Sequence, residues 1–191
     1  VGFLRVIEER RAYRALSSAN IDKEILVRLA EAAHMSPSSM NNQPWRIITV
    51  TSEPRLNALK ETLTAGNYWA RPSPAISAFV TNPDWSMRLG ARDLAYFELG
   101  MAAMAYQLQG VAEGLHVHPI VGFNADSAKK VLEIPETETL EILVVLGYPG
   151  DVSSLNEKHQ AIEAAPRSRK PLNEIAAFDV WDERLRPMKK A

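Results

Sequence analysis

Arginine suits the grip of a phosphate, because its planar guanidinium can hold two anionic oxygens at once. The chain groups such residues twice, as Arg10, Arg11 and Arg14 near its start and as Arg167, Ser168, Arg169 and Lys170 far along it. Two readings fit this spacing: solvated surface clusters, the commoner arrangement, or cations that converge on one phosphate. Between them, Ser36-Pro37-Ser38-Ser39-Met40-Asn41-Asn42-Gln43-Pro44 breaks all periodicity. There Ser38, Ser39, Asn41 and Gln43 set hydroxyls and amides between rigid prolines, a set able to bond polyol hydroxyls, a phosphate or the edge of a heteroaromatic ring. An ordinary turn has the same composition. A third feature is His118-Pro119-Ile120-Val121-Gly122-Phe123, an apolar strand that runs into a glycine permitting close backbone approach to a ligand.

Other chemistries lack their residues. Cysteine is absent, which removes disulfides, thiolate metal sites and a cysteine nucleophile and fits a reducing cytoplasm. The four histidines, His34, His116, His118 and His159, form no HExxH or comparable ligand pattern, so no metal is expected. There is no GxGxxG, no GxxxxGK[ST] and no G-x-S-x-G elbow. With 22 basic against 23 acidic residues the chain has no broad face for nucleic acid, so any basic site must be local. Arg10-Arg11 is followed by Ala12-Tyr13-Arg14-Ala15-Leu16-Ser17 rather than an apolar stretch, which argues against a twin-arginine export signal. No run approaches the roughly 18 apolar residues that span a bilayer, and a soluble protein is expected. The chain opens on Val1, and native residues before it are expected.

The elements that must position these groups follow from periodicity. Amphipathic spacing predicts half-buried helices over Gly2 to Arg11, carrying the first arginines at its end, and over Asp22 to Ala33. Strands are expected at Arg46 to Thr51, Ala75 to Thr81, Leu115 to Phe123 and Glu141 to Gly147, with helices at Glu53 to Thr64 and Ala125 to Glu133. From Arg88 to Glu113 a long helix is apolar on several faces, as the centre of a dimer would be. Alternating helices and strands indicate an α+β or mixed-sheet domain. Beyond Pro149 the chain reads as irregular, yet Leu172, Ile175, Phe178, Val180 and Trp181 need burial, either on their own subunit or around a partner.

Taken in order, Glu9-Arg10-Arg11-Ala12-Tyr13-Arg14 and Ser36 to Trp45 resemble the opening of the FMN-dependent nitroreductase family. The likeness continues through Ala65-Gly66-Asn67-Tyr68, the long helix, Pro119 to Phe123, Leu146-Gly147-Tyr148-Pro149 and Arg167-Ser168-Arg169-Lys170-Pro171-Leu172, nearly the whole chain. It implies one α+β domain over residues 1–191, with a central mixed, largely antiparallel sheet flanked by helices, in an intertwined homodimer whose segment 150–191 wraps the partner. It also implies FMN bound by Arg10, Arg11, Ala12 and Arg14, by Pro37, Ser38, Ser39, Met40, Asn41 and Gln43, and by Asn67, Pro119, Ile120, Val121 and Gly122. Arg167 and Arg169 would complete the phosphate grip, and Pro37 to Asn41 would come from the opposite subunit.

The Val121 backbone N–H would face flavin N5, and no side chain is assigned a catalytic role. The implied reaction is ping-pong, from NAD(P)H to a nitroaromatic, quinone or similar small acceptor. A flavin-binding or sensing protein without turnover is the alternative. Several positions depart from better-known members: Ala12 replaces a common serine, Val121 a frequent acidic residue, Arg71 and Pro74 stand where further flavin contacts often lie, and the Asn82 to Met87 connection is short.

Overall fold

The computed structural model describes residues 2–187. Its strands are β1 (Arg46–Val50), β2 (Ala75–Thr81), a short pair β3 (Arg88–Leu89) and β4 (Arg92–Asp93), β5 (His116–Ile120) and β6 (Thr139–Gly147). The helices are α1 (Arg5–Glu9), α2 (Lys23–His34), α3 (Glu53–Lys60), α4 (Leu94–Ala112), α5 (Ala125–Leu132) and α6 (Glu157–Ala164). Every residue of β2 is buried, and such a run belongs inside a sheet covered on both faces. β2 accordingly pairs antiparallel with β1 on one side and β6 on the other, and β6 pairs antiparallel with β5, in the order β1-β2-β6-β5.

Side chains alternate across the pleat. Ile76, Ala78 and Val80 of β2, with Leu143 and Val145 of β6, enter one core beneath α3 and α5, which supply Leu56, Leu59, Ala128 and Leu132. Their neighbours Ala75, Phe79, Val144 and Leu146 enter a second core under α2 and α4, with Leu29, Leu99, Ala102 and Tyr106. The helix α4 lies close on β5 because Gly110 has no side chain; a Cβ there would stand 2.5 Å from Val117 Cγ1. This is the α+β architecture anticipated, with all strand pairs of the main sheet antiparallel.

Three expectations change. The first helix is only Arg5–Glu9, carries no buried residue and ends in extended backbone at Arg10. Arg11 and Arg14 therefore follow the helix as an irregular segment, held by contacts with other elements. The long helix begins at Leu94, where the Asp93 carboxylate accepts the Ala95 N–H, and residues 88–93 form a hairpin turning at Gly90 with φ +61°. Arg88 to Asp93 contains no apolar stripe that could bury a further helical turn. Beyond Pro149, which reads as irregular, α6 forms with Asn156 as its cap, accepting the His159 N–H. The apolar residues after it do not pack on their own subunit: Leu172, Phe178 and Val180 are 78%, 92% and 76% exposed. The last residues of the predicted wrapping segment, 188–191, lie outside the described residues.

Candidate functional site

The arginine-bearing segment is anchored by two histidines that alternate on β5. A backbone carbonyl can only accept, so each ring carries its proton on Nδ1: His118 donates to Tyr13 O at 3.0 Å and His116 to Ala15 O at 3.0 Å. His116 stacks on Tyr13 at 4.3 Å between centroids, and His118 lies at 4.3 Å from the Trp69 ring. Burial, and then the charges of Arg14, Arg10 and His159, push the His118 imidazolium down to about 4, against the opposing pull of Tyr13 O. Backbone pairing completes the anchorage, with Ser17 N–H donating to Tyr148 O and Gly150 N–H to Ala15 O.

On this anchored segment the two ends of the chain meet. Arg10 is half-buried, and its guanidinium has no hydrogen-bond or ion-pair partner among the described residues. Its affinity for its proton is lowered first by burial and then by the positive charges of Arg167 and Arg169. Three cations are thus gathered where, among the described residues, no carboxylate pairs with Arg10. Arg167 spends its donors locally, on the carbonyls of Ile7 (3.1 Å), Glu8 (2.6 Å) and Arg10 (2.6 Å), so it caps α1. Arg169 donates to Ser168 O at 2.7 Å. Arg11 reaches Ile162 O of α6 at 3.3 Å, and Arg14 sits 6.0 Å over Trp69 with its N–H on the Glu163 carboxylate at 2.9 Å. Ala12 is exposed between them.

The end of β5 is fixed from the other side. The Gly122 carbonyl accepts the Thr64 N–H at 2.9 Å and the Asn67 Nδ2–H at 2.8 Å. A Cβ at Gly122 would stand 2.6 Å from Asn67 Nδ2 and 2.8 Å from Thr64 Oγ1, so glycine is what allows this fit. Val121 beside it is 76% exposed, and its N–H makes no hydrogen bond among the described residues. Pro119 is half-buried and Ile120 buried beneath this outward-facing peptide. Asn67, which the family resemblance implies as a cofactor contact, donates its Nδ2–H to the strand end.

The polar loop takes a strained path, with Met40, Asn41 and Gln43 at φ 51°, 57° and 49°. Left-handed backbone costs a non-glycine residue about 1 kcal/mol, and local bonds offset it. Ser38 Oγ accepts the Gln43 N–H at 2.9 Å, and Gln43 Nε2 donates to Asn41 O and Oδ1 at 3.1 and 3.2 Å. The Ser39 N–H donates to Glu98 Oε1 at 2.6 Å, while Ser86 Oγ donates to Glu98 Oε2. Pro37 and Met40 stay exposed. These bonds tie the loop to α4 and to the turn at Pro83–Trp85, and none reaches the arginines or the end of β5.

A sequence model of the nitroreductase family matches residues 7–88 and 66–148. The chain belongs to the nitroreductase family. FMN is the cofactor of that family, whose members are flavin oxidoreductases, and this chain is one. A solved oxidoreductase containing FMN superposes with a TM-score of 0.84 at 25% identity, covering 95% of this chain and 94% of its own. The NADH dehydrogenase of Thermus thermophilus is 24% identical over 201 residues, covering 89% of this chain and 92% of its own. The FMN reductase (NAD(P)H) of Bacillus subtilis is 27% identical over 173 residues, covering 79% of this chain and 67% of its own.

For a nitroreductase-family chain, the residues that sequence reasoning passed over are those that hold the site in shape. His116 and His118 were visible as an i, i+2 pair on a strand, and such a pair shares one face. Glu98 stood out as the acidic residue in the apolar stretch Leu94-Ala95-Tyr96-Phe97-Glu98-Leu99. Thr64, Trp69, Ser86 and Glu163 left no signal, because each acts through a partner distant in sequence. Among the described residues, no helix is long and apolar enough to cross a membrane.

Proposed function

We propose that this chain takes electrons from NAD(P)H and passes them two at a time to a nitroaromatic, a quinone or a similar small electrophile. It does so as a cytoplasmic homodimer whose two FMN sites are each built from both subunits. The observation that carries the reading is the Arg10 guanidinium, half-buried without an anion and crowded by Arg167 and Arg169. A phosphate monoester at that point offsets the repulsion and gives the donors their acceptors.

The donor set fits FMN beyond its phosphate. Arg11, Ala12 and Arg14 continue along the segment toward the polyol chain and pyrimidine edge. Pro119 to Gly122 offer a flat strand end for a ring, and the Val121 N–H is a free donor for flavin N5. Bound FMN supplies the hydride and electron transfer, and the protein holds and orients it. Asn67 and Thr64 act one step back, fixing the Gly122 carbonyl so that the peptide before it keeps its direction. The names of the Thermus thermophilus and Bacillus subtilis relatives, an NADH dehydrogenase and an FMN reductase (NAD(P)H), favour a nicotinamide donor.

One observation favours sites shared between subunits: the Pro37 to Asn41 loop, which supplies the remaining polar groups, keeps Pro37 and Met40 exposed and, among the described residues, makes no hydrogen bond to the arginine clusters or the end of β5 of its own chain. The direct test is anaerobic addition of NADH or NADPH to the FMN-loaded protein, followed by a quinone or nitroaromatic. The expected outcome is loss of the oxidised flavin absorbance and its return on adding the acceptor. A flavin that stays oxidised would instead support a binding or sensing protein.

A further inference from the structure

The Glu98 carboxylate lies in α4 with the residue only 3% exposed. Its two oxygens serve two separate segments: Oε1 takes the Ser39 N–H of the polar loop, and Oε2 takes the Ser86 hydroxyl of the connection between β2 and β3. A second strand of contact runs parallel, from Ser39 Oγ to Met87 Sδ at 3.8 Å. A buried carboxylate left with an unused oxygen is costly, so each bond favours keeping the other. Segments held on one rigid helix through one such group share its position.

We infer that Glu98 is a positioning residue that makes the Ser38 to Asn41 loop and the Asn82 to Met87 connection respond as one unit. Uptake of flavin by the loop thereby reaches the Asn82 to Met87 connection. The inference rests on the proposed function, in which the loop contacts FMN. By linkage, ordering of the loop on FMN binding spreads to Ser86 and Met87 through the two oxygens. The amide of glutamine can keep both bonds, with Oε1 still accepting from Ser39 N–H and Nε2 now donating to Ser86 Oγ. A leucine keeps neither.

Hydrogen exchange of the whole protein with and without FMN tests this, read separately for peptides covering 36–44 and 82–89. In the wild type, FMN is expected to slow exchange in both segments. Ser86→Ala and Glu98→Leu should still show slowing in the loop and lose most of it in 82–89, keeping only what the Ser39 to Met87 contact passes on, whereas Glu98→Gln should retain it in both. If Glu98→Leu does not fold, Ser86→Ala carries the test, since it leaves the Ser39 bond in place. Unchanged coupling in Ser86→Ala, or Glu98→Gln as uncoupled as Ser86→Ala, would overturn the inference. So would a wild type that binds FMN with no protection of 82–89. Failure of the wild type to bind FMN at all would sink the proposed function instead.

Discussion

At Val121 the side chain and the backbone can be tested apart. Its side chain points to solvent and its N–H lacks a partner among the described residues, while Gly122 behind it is fixed by Asn67 and Thr64. Val121→Ala is expected to change anaerobic flavin reduction little. Val121→Pro removes the N–H and should slow that reduction strongly; equal rates in the two proteins would show that the donor is not the backbone. The residue scale is also where the sequence was least legible. That Arg10 and Arg169 stand out is a matter of type, but that Arg167 caps α1 and Asn67 grips Gly122 depends on partners far away in the chain.

At the scale of elements, the decisive contact is between β5 and the segment that carries the arginines. Burial lowers the proton affinity of both histidines on β5, of half-buried His116 and of buried His118. Below its ordinary value near 6.5, the unfolded chain binds a proton that folded His118, titrating at about 4, does not. Stability is therefore complete above pH 6.5 and declines as pH falls toward 4. Between about pH 7 and pH 5 the loss attributable to His118 is about 2 kcal/mol. Urea unfolding at the two pH values should show it, and His118→Gln, which keeps an N–H for Tyr13 O, should flatten the decline. His116 and His159, lowered in the same direction, leave a residual slope. An identical decline in His118→Gln would remove His118 from the account.

The elements were largely legible where hydrophobic pattern decides them. Ala75–Thr81 forms its strand within the predicted bounds because a run buried on both faces needs no partner information. The first helix was overestimated because Phe3, Leu4 and Ile7 have helical spacing, yet they are 79%, 69% and 44% exposed in the single chain. Periodicity reports that a face seeks cover, and it does not report whether the cover is in the same subunit.

At the scale of the molecule, that uncovered surface sets the expectation of a dimer. Phe97 and Met104 of α4 are 66% and 44% exposed, and Leu172, Ile175, Phe178, Val180 and Trp181 are exposed as well. Apolar surface on this scale is unusual for a free monomer, and obligate interfaces bury about 2,000–5,000 Å². Light scattering on a sizing column should report a dimer at micromolar protein, and a compact monomer there would contradict this. The meeting of Arg10 with Arg169 belongs to the same scale, since only the completed fold brings the two ends of the chain together.

The central claim is that this meeting place receives the phosphate of FMN, and titration of FMN and of riboflavin into wild type, Arg10→Ala and Arg169→Ala tests it most directly. A hydrogen bond to a charged group contributes roughly 1.5–3 kcal/mol, so each substitution should weaken FMN about 10- to 150-fold. Riboflavin, which lacks the phosphate, should bind the three proteins with nearly equal affinity. If instead both flavins weaken by the same factor, these arginines do not hold the phosphate and the site has been placed wrongly.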